Sequence, residues 1–179
     1  MHRAKILLAV VAPIAIAGAV ATCNYFSLSR PLASVLERDP RNAGISASAH
    51  YEYYVIPSSI VFDLRSVSST NSPLDVTRVL LQFSAAMKDH EYEDVILEHD
   101  GTAKFRLDGK YFHELGDEFG VQNPVYTIRT MPEHIRRLDG SAAFGSWTGG
   151  WLGVFGKQMD DVNEFHKQWY ISDIAKASS

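Results

Sequence analysis

The feature that most constrains this chain is an uncharged window from Ile6 to Ser29, which directly follows Arg3 and Lys5. A basic start followed by an apolar run is the pattern of a secretory signal or a signal-anchor. The window is longer than the ~20 residues that a helix needs to cross the hydrocarbon core of a bilayer. We therefore expect residues 1–29 to act as a signal peptide or signal-anchor, with a transmembrane segment at about 6–25 and an exported domain behind it.

Three fates of this leader stay open from the residues alone. An uncleaved anchor would place Tyr25 and Phe26 at the far membrane interface, where aromatic side chains are common. Cleavage would follow the A-x-A pattern of Ala19–Ala21. The segment Val20–Cys23 resembles the lipobox of bacterial lipoproteins, and that resemblance implies acylation of Cys23, the only cysteine. The expected location is the cell envelope: anchored in the inner membrane with the domain exported, or periplasmic, or held there as a lipoprotein.

Charge is distributed unevenly between the leader and the rest of the chain. Residues 1–30 contain three basic and no acidic side chains, so the remainder carries 14 basic against 21 acidic residues. An acidic domain is repelled by the phosphate backbone, and we expect no nucleic-acid partner. The length after the leader is that of one domain, which we predict at 50–175 behind a tether at 30–49.

The middle of the chain contains the clearest local signals. Apolar residues alternate with polar ones in Ile60–Arg65, which predicts a strand. Ser72 suits a helix N-cap, with Pro73 at the first helical position, and the apolar spacing predicts a helix over Pro73–Lys88. The dipeptide Asp100-Gly101 between two apolar runs predicts a hairpin with a two-residue turn. In that register one face of the hairpin would enter the core, with Ile96, Ala103, Phe105 and Leu107.

Further elements follow the hairpin. Asp108 can cap a short helix with Phe112, Leu115 and Phe119 inward, ending at Gly120. Residues Val125 to Met131 predict a strand, and the apolar spacing from Trp151 to Ile174 predicts a long amphipathic helix. We therefore expect an α+β fold in which a small antiparallel sheet of about four strands is covered by two or three helices.

Two groups of side chains are candidate binding residues. Phe144, Trp147 and Trp151 lie in and beside a glycine-rich stretch and could form an exposed patch for a protein partner. Arg129, Arg136 and Arg137 make the only basic cluster of the acidic domain and could contact an anionic group or an acidic partner.

No motif in the sequence identifies a reaction. It contains no nucleophile motif, phosphate loop, dinucleotide fingerprint or zinc-ligand pattern, so we expect neither a metal nor a cofactor. The interpretation that best fits the leader is a membrane-tethered envelope protein that is not an enzyme and whose domain mediates protein interaction or assembly. Two alternatives stay open: an envelope hydrolase that uses His90, His99 and neighbouring carboxylates, and a module that binds a small ligand or lipid.

Overall fold

The computed structural model describes residues 13 and 15–177, and it leaves the side chains of Trp151 and Leu152 undescribed. Much of the predicted transmembrane segment, residues 6–12 and 14, lies outside the described residues. Within residues 13 and 15–177, no helix combines the length and the apolar character that a membrane crossing requires.

The centre of the fold is a five-stranded mixed sheet in the order β1-β2-β3-β4-β5. Its strands are β1 (Ile45–Glu52), β2 (Ile56–Val67), β3 (Asp94–His99), β4 (Thr102–Asp108) and β5 (Ile135–Arg136). The predicted α+β class is confirmed, but an all-antiparallel sheet is wrong, because β2 and β3 run parallel. The helix between them, α2 (Pro73–Met87), returns the chain to the starting end of the sheet, so β3 points the same way as β2.

Helices pack on one face of the sheet, the inner face. They are α1 (Arg30–Arg38), α2, α3 (Gly109–Glu118), α4 (Pro124–Thr130), α5 (Trp151–His166) and α6 (Ser172–Ala177). Aromatic side chains join the layers: the ring of Phe62 in β2 lies 5.8 Å from that of Phe83 and 6.0 Å from that of Trp169. All three side chains are fully buried. This layer of rings forms the centre of the hydrophobic core.

The chain enters the domain through one helical stretch, which we call the N-terminal helix: residues 15–24, the π segment Tyr25–Ser29, and α1. Leu28 and Leu32 on this helix are buried in the core. The expected tether at 30–49 is therefore wrong, since this segment forms α1, a 3-10 turn and the first part of β1. Because α1 is short and buries only Leu32, its own sequence does not indicate that it belongs to the core.

Helix α2 starts as the sequence predicts. The backbone N–H of Ser72 donates to Asp75 Oδ2 at 2.7 Å, which satisfies one of the donors around the helix start and places a negative charge at the positive end of the helix. Asp108 likewise accepts from the N–H of Tyr111 and caps α3. Phe112 and Leu115 are buried as expected, but Phe119 is exposed, because α3 ends before its ring can reach the core.

The hairpin of β3 and β4 forms around Asp100-Gly101, and both turn residues have positive φ. Beyond Ala103, however, a β-bulge shifts the register, so Leu97 and not Ile96 faces Phe105. One extra residue reverses which side chains point inward. The predicted core set is therefore wrong for Ile96 and Ala103: Val95 and Leu97 join Phe105 and Leu107 on the inner face.

The predicted strand from Val125 to Met131 is also wrong. Asn123 accepts from the N–H of Val125 and Pro124 occupies the first helical position, so the segment starts as helix α4. The predicted long helix near the C-terminus is confirmed. It consists of α5, the π segment Lys167–Ile171 and α6, which together we call the C-terminal helix.

Candidate functional site

The opposite side of the sheet, the outer face, carries most of the sheet's charged side chains. Cross-strand pairing places its members in rows, so that each side chain lies beside its partner on the next strand. We define the outer face by the following residues: Ser48, His50, Glu52, Val61, Asp63, Arg65, Ile96, Glu98, Ala103 and Arg106.

Two carboxylates, Asp63 and Glu98, are direct cross-strand neighbours at the centre of this face. The Asp63 side chain is fully buried, and its charge is balanced by Arg65, whose guanidinium lies 2.6 Å from Oδ2. The N–H of Gly101 donates to the other oxygen at 3.1 Å. Partial burial, and then the charge of Asp63, raise the pKa of Glu98 above its ordinary value.

A second ionic group lies toward the other end of the face. The guanidinium of Arg106 contacts Glu52 at 3.3 Å and Asp94 at 3.0 Å. A cavity of about 480 Å³ lies over this part of the sheet, and Glu98, Arg106 and Leu138 contribute to its lining. The cavity therefore presents both signs of charge on an apolar floor.

The hairpin between β1 and β2 forms one wall of this cavity. The Tyr54 ring stacks on that of His50, with 4.2 Å between centroids and 14° between planes. Tyr53 and Tyr54 both have positive φ, at 49° and 66°, which is uncommon for aromatic residues. Chemically, the outer face offers carboxylates, guanidinium groups and aromatic rings, which are binding groups; none of the bonds described here activates a nucleophile.

The three residues of the predicted aromatic patch differ in position. Phe144 is half-buried, with its ring 6.0 Å from that of Phe105 and 6.2 Å from that of Phe165. Trp147 donates its indole N–H to Asp161 at 2.7 Å. The side chain of Trp151 is outside the described part of the chain. Phe144 thus contributes to packing, and the patch as a binding surface stays a prediction.

The predicted arginine cluster is distributed over different elements. Arg129 in α4 donates to Gln158, and Arg136 in β5 lies 3.6 Å from Asp108. Arg137 donates to the carbonyl of Ala142 at 2.6 Å. Each guanidinium has a partner within the chain, and a joint contact to an anion stays a prediction.

The two histidines of the hydrolase alternative are not neighbours. His90 is exposed before β3, whereas His99 is the last residue of that strand, so the length of the strand separates them. His99 is buried, and its Nδ1 lies 3.2 Å from Asp173 Oδ2, which also contacts the Lys104 ammonium at 2.7 Å. The structure therefore does not bring His90 and His99 together, and the hydrolase alternative stays a prediction.

A second concave region lies between α2, α3 and α4. It has a volume of about 330 Å³ and is lined mainly by apolar side chains, among them Leu74, Leu115 and Phe119, with Arg41 and Arg78 also in its lining. A volume of this size is at the lower end of the ~300–1,000 Å³ typical of ligand pockets.

Asn24 is important in the structure although the sequence does not single it out. Asn24 is buried and bonded to the sheet, and its only sequence signal is that an amide stands in an otherwise apolar stretch. Cys23, the predicted lipidation site, is the preceding residue and is exposed. Asp63 and Arg65, two residues apart on β2, share the outer face, where the guanidinium balances the charge of the buried carboxylate.

No protein-family model, curated protein or solved structure matches this chain. The fold and the site therefore define its class: an α+β protein whose five-stranded mixed sheet has helices on its inner face and a charged, concave outer face.

Proposed function

We propose that this is an exported, membrane-tethered protein of the cell envelope whose domain mediates protein interaction or assembly through the outer face. The main supporting observation is the position of that face beside the N-terminal helix. A depression is lined both by helix residues, including Ala21 and Tyr25, and by outer-face residues, including His50 and Arg65. A partner on the outer face would therefore be held close to the anchor.

The composition of the outer face suits a partner protein. Interfaces are enriched in arginine and combine an apolar centre with a polar rim. Val61 and Ile96 form the apolar floor of the cavity, and Glu98, Arg106 and Leu138 surround it. Because the face carries both charge signs, we expect a partner whose surface also alternates in charge.

The test is site-specific photo-crosslinking in the native membrane, with a photoreactive phenylalanine in place of Leu138. The same substitution at Lys167, an exposed residue of the C-terminal helix, is the matched control. We expect one defined protein adduct from position 138 and none from position 167. When a second copy without the probe is co-expressed, the wild-type chain should lower the yield of this adduct more than the Leu138→Asp variant does.

Adducts of equal yield at both positions would contradict the role of the outer face. An adduct yield that falls equally with Leu138→Asp and with the wild-type chain would also contradict it, because a charge in the lining of the cavity should weaken a packed interface.

A second candidate function is the binding of a small apolar ligand between α2, α3 and α4. It is favoured by the cavity described there, in which apolar side chains meet two arginines. An acyl chain would match the apolar part of that lining, whereas the two arginines already pair with Asp39 and Asp75. Leu115→Trp would fill the cavity, and loss of a lipid that co-purifies with the wild-type chain, seen by native mass spectrometry, is the expected result. If the wild-type chain carries no such lipid, this candidate is rejected.

A further inference from the structure

Two separate parts of the chain expose aromatic and apolar side chains side by side. Tyr25 and Phe26 are 54% and 57% exposed on the N-terminal helix. Tyr53, Tyr54 and Val55, at the tip of the β1–β2 hairpin, are 76%, 54% and 62% exposed. We call these five residues the aromatic collar. None of them is charged, in a domain that otherwise carries many acidic residues.

Asn24 holds the two halves of the collar together. Its amide nitrogen donates to the carbonyl of Tyr54 at 2.8 Å, and its amide oxygen accepts from the N–H of Tyr51 at 2.7 Å. Tyr25 and Tyr54 also line one depression together with Ala21. The hairpin tip is therefore fixed beside the point where the N-terminal helix enters the domain.

The backbone at the tip has an unusual conformation, and it leaves these rings exposed. A left-handed conformation is unfavourable for an L-residue, and Tyr53 and Tyr54 both adopt it. Strain of this kind persists where neighbouring contacts enforce it and often marks a functional segment. Here the two-residue turn of the hairpin imposes it: the N–H of Val55 donates to the carbonyl of Glu52 at 3.2 Å, and a turn of this kind requires positive φ at both central residues. The Tyr53 side chain is the most exposed of the collar.

The uncharged run before the collar indicates what covers it. The run from Ile6 to Asn24 contains 19 uncharged residues, which is close to the ~20 that a segment needs to cross the hydrocarbon core of a bilayer. Tyr25 and Phe26 would follow at the far boundary of that core, and Asn24 would bring the hairpin tip to the same level. The Arg30 guanidinium, 5.9 Å from the centroid of the Phe26 ring, then lies one turn further out, at the depth of the headgroups.

We propose that the aromatic collar seats in the boundary between headgroups and hydrocarbon of a lipid bilayer. This second membrane contact rests on the membrane tethering proposed above and goes beyond it, because it fixes the orientation of the domain. Tyrosine suits this position, since its ring is apolar and its hydroxyl can reach water. The contact is aromatic in nature, and it does not require anionic lipid.

The experiment uses the full chain in vesicles of phosphatidylcholine, with and without phosphatidylglycerol. A photoreactive phenylalanine replaces Tyr53, and the same probe at Leu138, exposed on the domain surface, is the control. We expect roughly fivefold or more lipid adduct at position 53 compared with position 138, because interface aromatics lie at headgroup level. The yield should be similar in the two lipid mixtures.

A further variant tests the Asn24 hydrogen bonds that position the hairpin tip. Asn24→Ala, combined with the probe at Tyr53, should lower the yield of lipid adduct, whereas Thr22→Ala, which alters only a bond within the helix, should not. Far-ultraviolet circular dichroism checks that both variants are folded.

Alkaline carbonate extraction separates the two proposals. If the chain is extracted, both the tethering and the collar are rejected. If it is retained but position 53 gives no more lipid adduct than position 138, only the collar is rejected. A protein adduct in place of lipid at position 53, in native membranes, would also overturn it and assign the tip to a protein contact.

Discussion

The side-chain oxygen of Asn24 accepts the backbone N–H of Tyr51 at 2.7 Å, and this bond joins the N-terminal helix to the edge of the sheet. Tyr51 lies in β1, an edge strand whose outward backbone groups would otherwise be unpaired. Ser29, on the same helix, donates to the carbonyl of Ala49 at 2.9 Å. Side chains of the helix thus protect the edge, and the helix in return gains a fixed position on the domain.

Removing the Asn24 amide should destabilise this junction. Asn24→Ala leaves the N–H of Tyr51 and the carbonyl of Tyr54 without their partner. We expect a loss of about 1–3 kcal/mol in the free energy of unfolding, because two hydrogen bonds are lost and each contributes about 0.5–1.5 kcal/mol. Urea unfolding of the detergent-solubilised chain, followed by the fluorescence of the buried Trp169, measures it.

The matched control is Thr22→Ala. Thr22 is exposed, and its hydroxyl donates only to the carbonyl of Gly18 within the helix. We expect a change within ±0.5 kcal/mol, as at other surface sites. Equal losses in the two variants would mean that the junction contributes nothing beyond helix stability.

His166 should make the domain less stable at mildly acidic pH. It is fully buried, its Nδ1 donates to the carbonyl of Val162 at 2.8 Å, and its Nε2 lies 2.8 Å from the hydroxyl of Thr77. Burial lowers the pKa of His166 below its ordinary value of 6.5. Below pH 6.5 the unfolded chain takes up a proton that the folded chain does not, so the free energy of unfolding falls as the pH falls.

The variant His166→Leu removes this titration. Its free energy of unfolding should vary less between about pH 5 and neutrality than that of the wild type, even if its absolute stability is lower. Thr22→Ala, which removes no titratable group, should keep the wild-type slope. Parallel pH profiles for wild type and His166→Leu would contradict the prediction. Because burial also lowers the pKa of His134, part of the slope should persist in the variant.

The contribution of Glu98 to the free energy of unfolding should change with pH in the opposite direction to that of His166. Its pKa is raised by burial and by Asp63, so its ionised form is disfavoured in the folded state. The stability that its protonated form contributes is present at low pH and is lost as the pH rises through the folded-state pKa. Glu98→Gln imitates the protonated form, and we expect a higher urea midpoint than wild type at pH 7, with the difference disappearing below pH 4.5.

Glu164→Gln is the control for this prediction. The pKa of Glu164 is lowered by hydrogen bonds from Gln168 and Lys167, so its ionised form is favoured by folding. The variant should therefore be no more stable than wild type at pH 7, and slightly less stable at low salt. A lower urea midpoint for Glu98→Gln at neutral pH would contradict our interpretation of the carboxylate pair.

Two helical glycines should respond to alanine in opposite ways. At Gly116 in α3, an added Cβ would lie 2.6 Å from the carbonyl oxygen of Ser84 in α2. The two helices would have to separate, and we expect Gly116→Ala to destabilise the fold by about 1–3 kcal/mol. At Gly156 in α5 there is open space, so Gly156→Ala should stabilise the helix by up to about 1 kcal/mol through helix propensity. Thermal unfolding of both variants measures the contrast, and a shift of the same sign in both would contradict it.

The sequence by itself determined those elements whose signals are local. Ser72 and Pro73 start α2, Asp108 starts α3, and Asp100-Gly101 turns the hairpin. In each case a cap or turn depends on bonds between residues within four positions of one another, so the pattern can be interpreted without knowledge of the rest of the molecule.

Only the tertiary structure decided the features that depend on distant partners. The bulge that turns Leu97 inward in place of Ile96 arises because the core accepts one face of β3. The parallel pairing of β2 with β3 depends on where α2 packs. The junction at Asn24 joins residues 30 positions apart, so no local pattern could reveal it.

The candidate site divides in the same way. The sequence predicted an aromatic and a basic binding group from residue type alone. In the structure Phe144 packs against Phe105, and Arg129 and Arg136 contact different side chains. The outer face, with Asp63 beside Glu98, comes from cross-strand register, and a one-residue change of register would place different side chains together. Composition and local pattern therefore determined which elements form, and long-range pairing determined which chemical groups meet on the surface.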